Sequence, residues 1–481
     1  MAAYFTLSLR GCCAAVTLSA CHKPPVVLDV KRMASAIGTL DYFVRVDSSG
    51  TTLSIQGELP PGATLLKLDD GAAPFADELE AAPSTSPWES AAFAPLARGE
   101  GGWNANMCAR GCRIRYRFRL AEAARAIQDG DRLLSIDNIV IGSASAWLVH
   151  PASSASRRYR FRVDASQAPS DVRFVTGVTS ISRDVYGAAA SEMEDGPYTA
   201  FGMMRLYRVR VSNSTLTVAL AANGLGCSDE TIVSAIRRAA EIVTQYLGFF
   251  PVNESLIVVT SSWLDDVRAR TSGGGGSAIL VSMGPHTHQQ QLSRGVLTHE
   301  LMHLALPYLR RDDQWFAEGL ATYTEAVART QSGELSNNEF WTRLVQHFPE
   351  GLPRKNEWGL TGSTRTGRIY WGGALFFLLA DIELRTRTMH ARSIIDVLRA
   401  IHAQGGSLAE PWTIDRVIEV GDQWTGTRVM RELYARMSRG RVDTDLDALW
   451  VKLGIETTHD RVRFNNSASL ADVRRRMFGN P

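Results

Sequence analysis

His299-Glu300-Leu301-Met302-His303 lies in a stretch, Gln289 to Leu306, that has no internal proline and is stopped by Pro307, so the sequence predicts a helix across it. Side chains four apart on a helix lie one above the other, and His299 and His303 can present two imidazole nitrogens to one tetrahedral metal ion. Glu300, next to the first histidine, reaches the same space without completing the coordination, the place of a general base. Glu318, fifteen residues beyond His303, sits in a second predicted helix, Gln314-Trp315-Phe316-Ala317-Glu318-Gly319-Leu320-Ala321-Thr322-Tyr323, and is the candidate third ligand. Two imidazoles and a carboxylate leave a fourth position open, which is how catalytic zinc is held. One Zn2+ is therefore the expected cofactor, acidifying water to a pKa of about 7 and polarising a substrate carbonyl.

The second helix looks like the Trp-x-x-Glu-Gly-x-x-x-Tyr ligand helix of the aminopeptidase N family and of the bacterial glycyl aminopeptidase family. These are gluzincins, thermolysin-like zinc metallopeptidases whose third ligand is a downstream glutamate. Ile369-Tyr370-Trp371-Gly372-Gly373-Ala374-Leu375 resembles their Tyr-x-Lys-Gly-Ala stretch, with Gly372 where lysine is usual. The resemblance implies that Tyr370 donates a hydrogen bond to the oxyanion of the tetrahedral intermediate, where a phenol stabilises the transition state more than the ground state. It also implies an α+β multidomain fold: a β-sandwich-like N-terminal domain, a thermolysin-like catalytic domain and a helical C-terminal region. Related aminopeptidases place a glutamate beside a Gly-rich edge strand to bind the substrate's free amine. Gly273-Gly274-Gly275-Gly276-Ser277-Ala278 contains none, so aminopeptidase and endopeptidase activity both stay open. The glycines read either as a linker or as an active-site rim, with Gly275 and Gly276 the candidates for close approach to substrate. Glu325, seven residues past Glu318 on the same helical face, either orients a ligand side chain, binds substrate or faces solvent.

Upstream, residues 36–222 read as a β domain. Ile114, Tyr116, Phe118 and Leu120 alternate with Arg113, Arg115, Arg117 and Arg119, and the pattern returns around Tyr159, Phe161 and Val163 and around Tyr207, Val209 and Val211. Period two means one buried face and one arginine-bearing solvated face. Because aromatics and cations fall on opposite faces, this is not a nucleic-acid platform. From Ser228 the spacing turns helical through Ile232, Ile236, Ala240 and Val243 to Gly248, and strands follow at Leu256–Thr260 and Ala278–Val281. Residues 223–345 are assigned to the zinc-binding catalytic domain and 346–481 to a helical region completing the active site.

The first twenty residues carry no acidic group and read as a signal peptide ending Leu18-Ser19-Ala20-Cys21, which resembles a bacterial lipobox; residues 21–35 then serve as a tether. Cys21 is the expected lipid anchor, with plain secretion the alternative. An exported compartment permits disulfides, and Cys108-Ala109-Arg110-Gly111-Cys112 is either a small disulfide loop or half of a zinc site without a second half.

The chain has 481 residues, room for two to four domains at roughly 100–200 residues each. Its 52 Lys+Arg against 50 Asp+Glu leave a net charge of +2, so nothing global steers it to nucleic acid or membrane headgroups. The longest strongly apolar run, Ala374 to Ala380, is far short of the roughly 20 residues of a spanning helix. A zinc peptidase acting on peptides or proteins in the bacterial cell envelope, membrane-attached only through lipid, is the expectation. A non-enzymatic envelope binding protein retaining a peptidase fold is the alternative.

Overall fold

Alternating burial organises the N-terminal half into paired sheets. The computed structural model describes residues 38–85, 87–130, 132–153, 157–221, 224–458 and 461–478; the signal peptide, Cys21 and the tether lie outside the described residues. Strands β1 (Thr39–Val46), β2 (Leu53–Leu59), β3 (Ala76–Pro83), β4 (Cys112–Phe118), β5 (Arg158–Asp164) and β6 (Val185–Ala189) form an eight-stranded sheet with Ser180–Ser182 and Ala94–Pro95 at its edges. The order is Ser180–Ser182, β6, β5, β1, β2, β4, β3, Ala94–Pro95, and only β1 and β5 run parallel. Tyr42, Ile55, Tyr116, Phe118, Tyr159 and Phe161 point inward. The intervening arginines pair across neighbouring strands, Arg115 with Glu80 at 2.7 Å and Arg160 with Asp41 at 2.6 Å, as solvated outer faces do. A four-stranded antiparallel sheet, Leu133–Ile136, Ile139–Gly142, Val172–Thr176 and Thr199–Met203, shares the same core, with Trp147 wedged edge-on between Phe161 and Phe201. Leu120 departs from the expected strand pattern and opens a helix, Leu120–Ile127. Cys108 and Cys112 are joined by a disulfide across Gly111, whose φ of +91° suits the tight turn, so the loop and not a half zinc site is formed.

The second half centres on a five-stranded sheet of β7 (Arg205–Val211), β8 (Ser214–Leu220), β9 (Glu254–Ser261), β10 (Arg268–Gly273) and β11 (Ser277–Met283), in the order β7-β8-β9-β11-β10. Strands β8, β9 and β11 are parallel and the two edges antiparallel. Helix α1 (Asp229–Leu247) makes the crossover from β8 to β9; Ser228 caps its start by accepting from the Thr231 amide, and Gly248 ends it in the left-handed region. The hairpin of β7 and β8 was expected to close the N-terminal domain at residue 222, and instead it belongs to this sheet, with Thr215–Leu220 in register with Glu254–Val259. Period-two alternation records a half-buried strand without recording which sheet receives it. On one face of this sheet, Ala219, Leu256, Val258 and Ala278 pack against Ile139, Ile141 and Ala200 of the small N-terminal sheet and against Tyr198 just before its last strand.

Beyond the sheet run α2 (Val296–His303), α3 (Gln314–Gln331), α4 (Asn337–Gly351) and, after a π-helical turn at Arg368–Gly372, α5 (Gly373–Arg387). The helix expected over 289–306 is broken: a turn at Gln289–Leu292 is separated from α2 by Gly295, at φ +101°. The boundary expected at 345/346 does not divide the core, since Val209, Leu301, Trp341, Phe376 and Trp450 belong to one continuous cluster. The tail also holds a hairpin, Ile455–Thr458 with Arg461–Phe464, where helices and turns were expected. Among the described residues, no helix is long and apolar enough to cross a membrane.

Candidate metal centre

The i, i+4 spacing on α2 and one carboxylate on α3 produce the centre. His299 Nε2 lies 3.2 Å and His303 Nε2 3.4 Å from Glu318 Oε2, and the three donor atoms all fall within 4.8 Å of one another. Their side chains are 10–15% exposed, so the cluster is sunk in the protein and still open to a ligand. Burial pushes the Glu318 carboxyl up, but the His303 and His299 rings overcome it and hold the group well below the usual carboxylate range. Two imidazole nitrogens and an ionised carboxylate fit a borderline cation such as zinc.

Glycines set α3 and α5 at this distance. A Cβ on Gly319, next to Glu318, would stand 2.3 Å from Gly373 Cα, so the two helices meet backbone to backbone beside the ligand. The π-helical turn leading into α5 carries Tyr370, whose ring stacks on His299 at 5.9 Å and 17°. Burial, then the Glu318 and Glu300 carboxylates, raise its phenol well above its ordinary pKa, which keeps it a hydrogen-bond donor. Gly372, where the resemblance expects lysine, is closely packed: a Cβ would stand 2.7 Å from Leu360 Cδ2 and 3.0 Å from Gly351 O, so a larger residue would displace Leu360.

Glu300 is 8% exposed and accepts a 2.6 Å hydrogen bond on Oε2 from Thr271 Oγ1 of edge strand β10. Thr271 escaped sequence reasoning, because its contact is made only when the edge strand closes over α2. Of the alternatives for Glu325, the solvent-facing one is excluded: it is 1% exposed and pairs with Arg329 and Arg343, each at 2.9 Å. The glycine run also differs from an open rim. The Gly274 and Gly275 amides donate to Leu408 O and Ala409 O, and Gly275 O accepts from the Thr179 amide. A Cβ on Gly275 or Gly276 would strike Ala188 Cβ at 2.3 Å or Gly177 O at 2.1 Å. The run is glycine because other segments cross it closely, and both the amide and the carbonyl of Gly275 are taken up by those segments.

Beside Gly274 the N-terminal domain supplies a carboxylate that the sequence did not single out. Glu192 Oε2 is buried, has no hydrogen-bond partner, and would lie 2.9 Å from a Cβ on Gly274. It lines a pocket of about 120 Å3 with Asp195, Gly273, Tyr308 and Trp412. Gly273, in the pocket wall, is two residues along β10 from Thr271, about 7 Å at the rise of a strand.

The backbone is similar to those of solved zinc peptidases. An aminopeptidase N family protein from Idiomarina loihiensis superposes with a TM-score of 0.63 at 13% identity, covering 86% of this chain and 78% of that one. An M1 zinc metallopeptidase from Deinococcus radiodurans gives 0.51 at 13%, covering 85% and 95%, and a variant of it bound to a Tyr-Ser-Ala substrate gives 0.50. The chain thus has the α+β, multidomain fold of M1 zinc metallopeptidases. The sequence matches no family model and no curated protein.

Proposed function

We propose that this chain is a zinc-dependent peptidase of the aminopeptidase N type. The observation that carries it is the convergence of His299 Nε2, His303 Nε2 and Glu318 Oε2 with Glu300 and Tyr370 beside them. A zinc ion, which these three side chains would hold, would supply a Lewis acid able to acidify water and polarise the scissile carbonyl. Glu300, with one oxygen pinned by Thr271, accepts the water's proton and returns it to the leaving amine. Tyr370 donates to the oxyanion that develops on the carbonyl oxygen.

The unpartnered Glu192 oxygen favours the aminopeptidase form, since a substrate ammonium would satisfy it where the glycine run has no glutamate. The site serves the envelope, with Cys21 as lipid anchor, a location supported by the Leu18–Cys21 pattern and tested by metabolic palmitate labelling of wild type and Cys21→Ser; equal labelling of both removes the anchor.

The deciding experiment is a peptide panel with free and blocked N-termini, given to zinc-loaded wild type and Glu300→Gln. Wild type is expected to cleave free-amine peptides preferentially, and the variant to keep zinc while losing turnover. Zinc-loaded wild type that cleaves nothing points to the non-enzymatic binding protein instead, and equal cleavage of blocked peptides points to an endopeptidase.

A further inference from the structure

Arg343 is charged, a third exposed and outside the metal centre, yet it touches both halves of the site. Its Nη1 lies 2.9 Å from Glu325 Oε2, and its guanidinium sits over the Trp371 ring with Cζ 5.4 Å from the centroid. Glu325 reaches the start of the ligand helix: a Cβ on Gly295, the N-cap of α2, would fall 2.1 Å from Glu325 Oε1. Arg329 completes that junction, holding Glu325 Oε1 at 2.9 Å and donating to Ser293 O at 2.7 Å. On the other side, Trp371 is the residue after Tyr370 in the π-helical turn, and His347, one turn beyond Arg343 on α4, stacks on it at 4.6 Å and 7°. Tyr370 returns to α2 through its ring contact with His299. The contacts run from Gly295 through Glu325, Arg343, Trp371 and Tyr370 to His299, with Arg343 on α4 joining α3 to the π-helical turn.

The chemistry of the pair explains why a second arginine is present. Arg329 holds Oε1 of the buried Glu325 carboxylate, and Arg343 satisfies Oε2. A planar guanidinium can satisfy the second carboxylate oxygen at its edge while lying over an indole face, which fixes the indole relative to the carboxylate. A π-helical turn inserts an extra residue into the helix, which sets the direction of the side chains it carries.

We propose that Arg343 is a positioning residue that sets Tyr370 against the metal centre by clamping Trp371 to Glu325. This rests on the peptidase reading for its kinetic consequence and not for its structural one. The test compares Arg343→Met, Arg343→Lys, Tyr370→Phe and the double variant Arg343→Met/Tyr370→Phe, each zinc-loaded. Arg343→Met is expected to keep its zinc and lower kcat roughly ten- to a hundredfold with KM little changed, the scale of loss when a group shifts by about 1 Å. Arg343→Lys, which restores the charge without the planar guanidinium, recovers only part of it. In the Tyr370→Phe background the methionine costs nothing further, because Arg343 acts only through the phenol. Multiplying losses, an unchanged kcat or loss of zinc overturns the proposal. A crystal structure of Arg343→Met reads the same point without turnover: the Tyr370–His299 separation departs from 5.9 Å while His299, His303 and Glu318 stay together. An unmoved Tyr370 overturns it whether or not the protein proves to be a peptidase.

Discussion

His299, Glu300, His303 and Glu318 were legible because metal chemistry demands fixed residue types at fixed helical spacings, and those survive in the sequence. Thr271 and Glu192 were not, since each acts through a contact made only when distant segments meet. Glu325 was placed on the right helical face without its neighbours: periodicity shows which way a side chain points and not which arginines wait there. One residue away from the chemistry makes a test at this scale. His150 is 1% exposed and its Nε2 has no hydrogen-bond partner; burial chiefly, with Lys67 adding to it against Pro151 O and Glu194, holds its pKa down to about 4. The folded state thus keeps His150 neutral where the unfolded chain, near 6.5, takes up a proton. Its contribution is complete above about pH 6.5 and is lost as the pH falls toward 4, on the order of 3 kcal/mol. Chemical unfolding of wild type and His150→Leu across pH 7 to 4 should show their stability difference shrinking by about that much. A pH-independent difference contradicts the assignment.

At the scale of elements, α1 could be read with its caps because Ser228 and Gly248 act locally. The break at Gly295 and the π-helical turn at Arg368–Gly372 are tertiary: the first makes room for Glu325 and Arg329, and the second feeds Tyr370 toward His299. What places the elements is the absence of side chains. Gly319 and Gly373 let α3 and α5 touch, and a Cβ on Gly373 would fall 2.2 Å from Trp315 O. Gly373→Ala is therefore expected to destabilise the fold by about 1–3 kcal/mol through overpacking. Prising α5 off α3 should also lower kcat, since the π-helical turn moves with α5. Urea unfolding together with steady-state kinetics checks this, and an alanine variant as stable and active as wild type would remove the close crossing as the reason for these glycines.

At the scale of the whole molecule, the order of a β-rich half followed by a half bearing the candidate metal centre was legible, and the seams were not. The β7–β8 hairpin carries the same arginine alternation as the N-terminal strands, yet its pairing with β9 makes it the wall between the halves. The single core running from Val209 to Met477 likewise ties the last helices to the zinc-ligand helices. This arrangement brings Glu192 from one half beside Gly274 of the other, so the proposed amine site is built only in the assembled chain. The claim on which the rest depends is that His299, His303 and Glu318 together hold one zinc ion. Elemental analysis of purified, dialysed protein tests it most directly: the expected result is one zinc per chain in wild type and in Glu300→Gln, and none in a folded His303→Phe. Wild type that retains no zinc, or His303→Phe that retains as much as wild type, would contradict it.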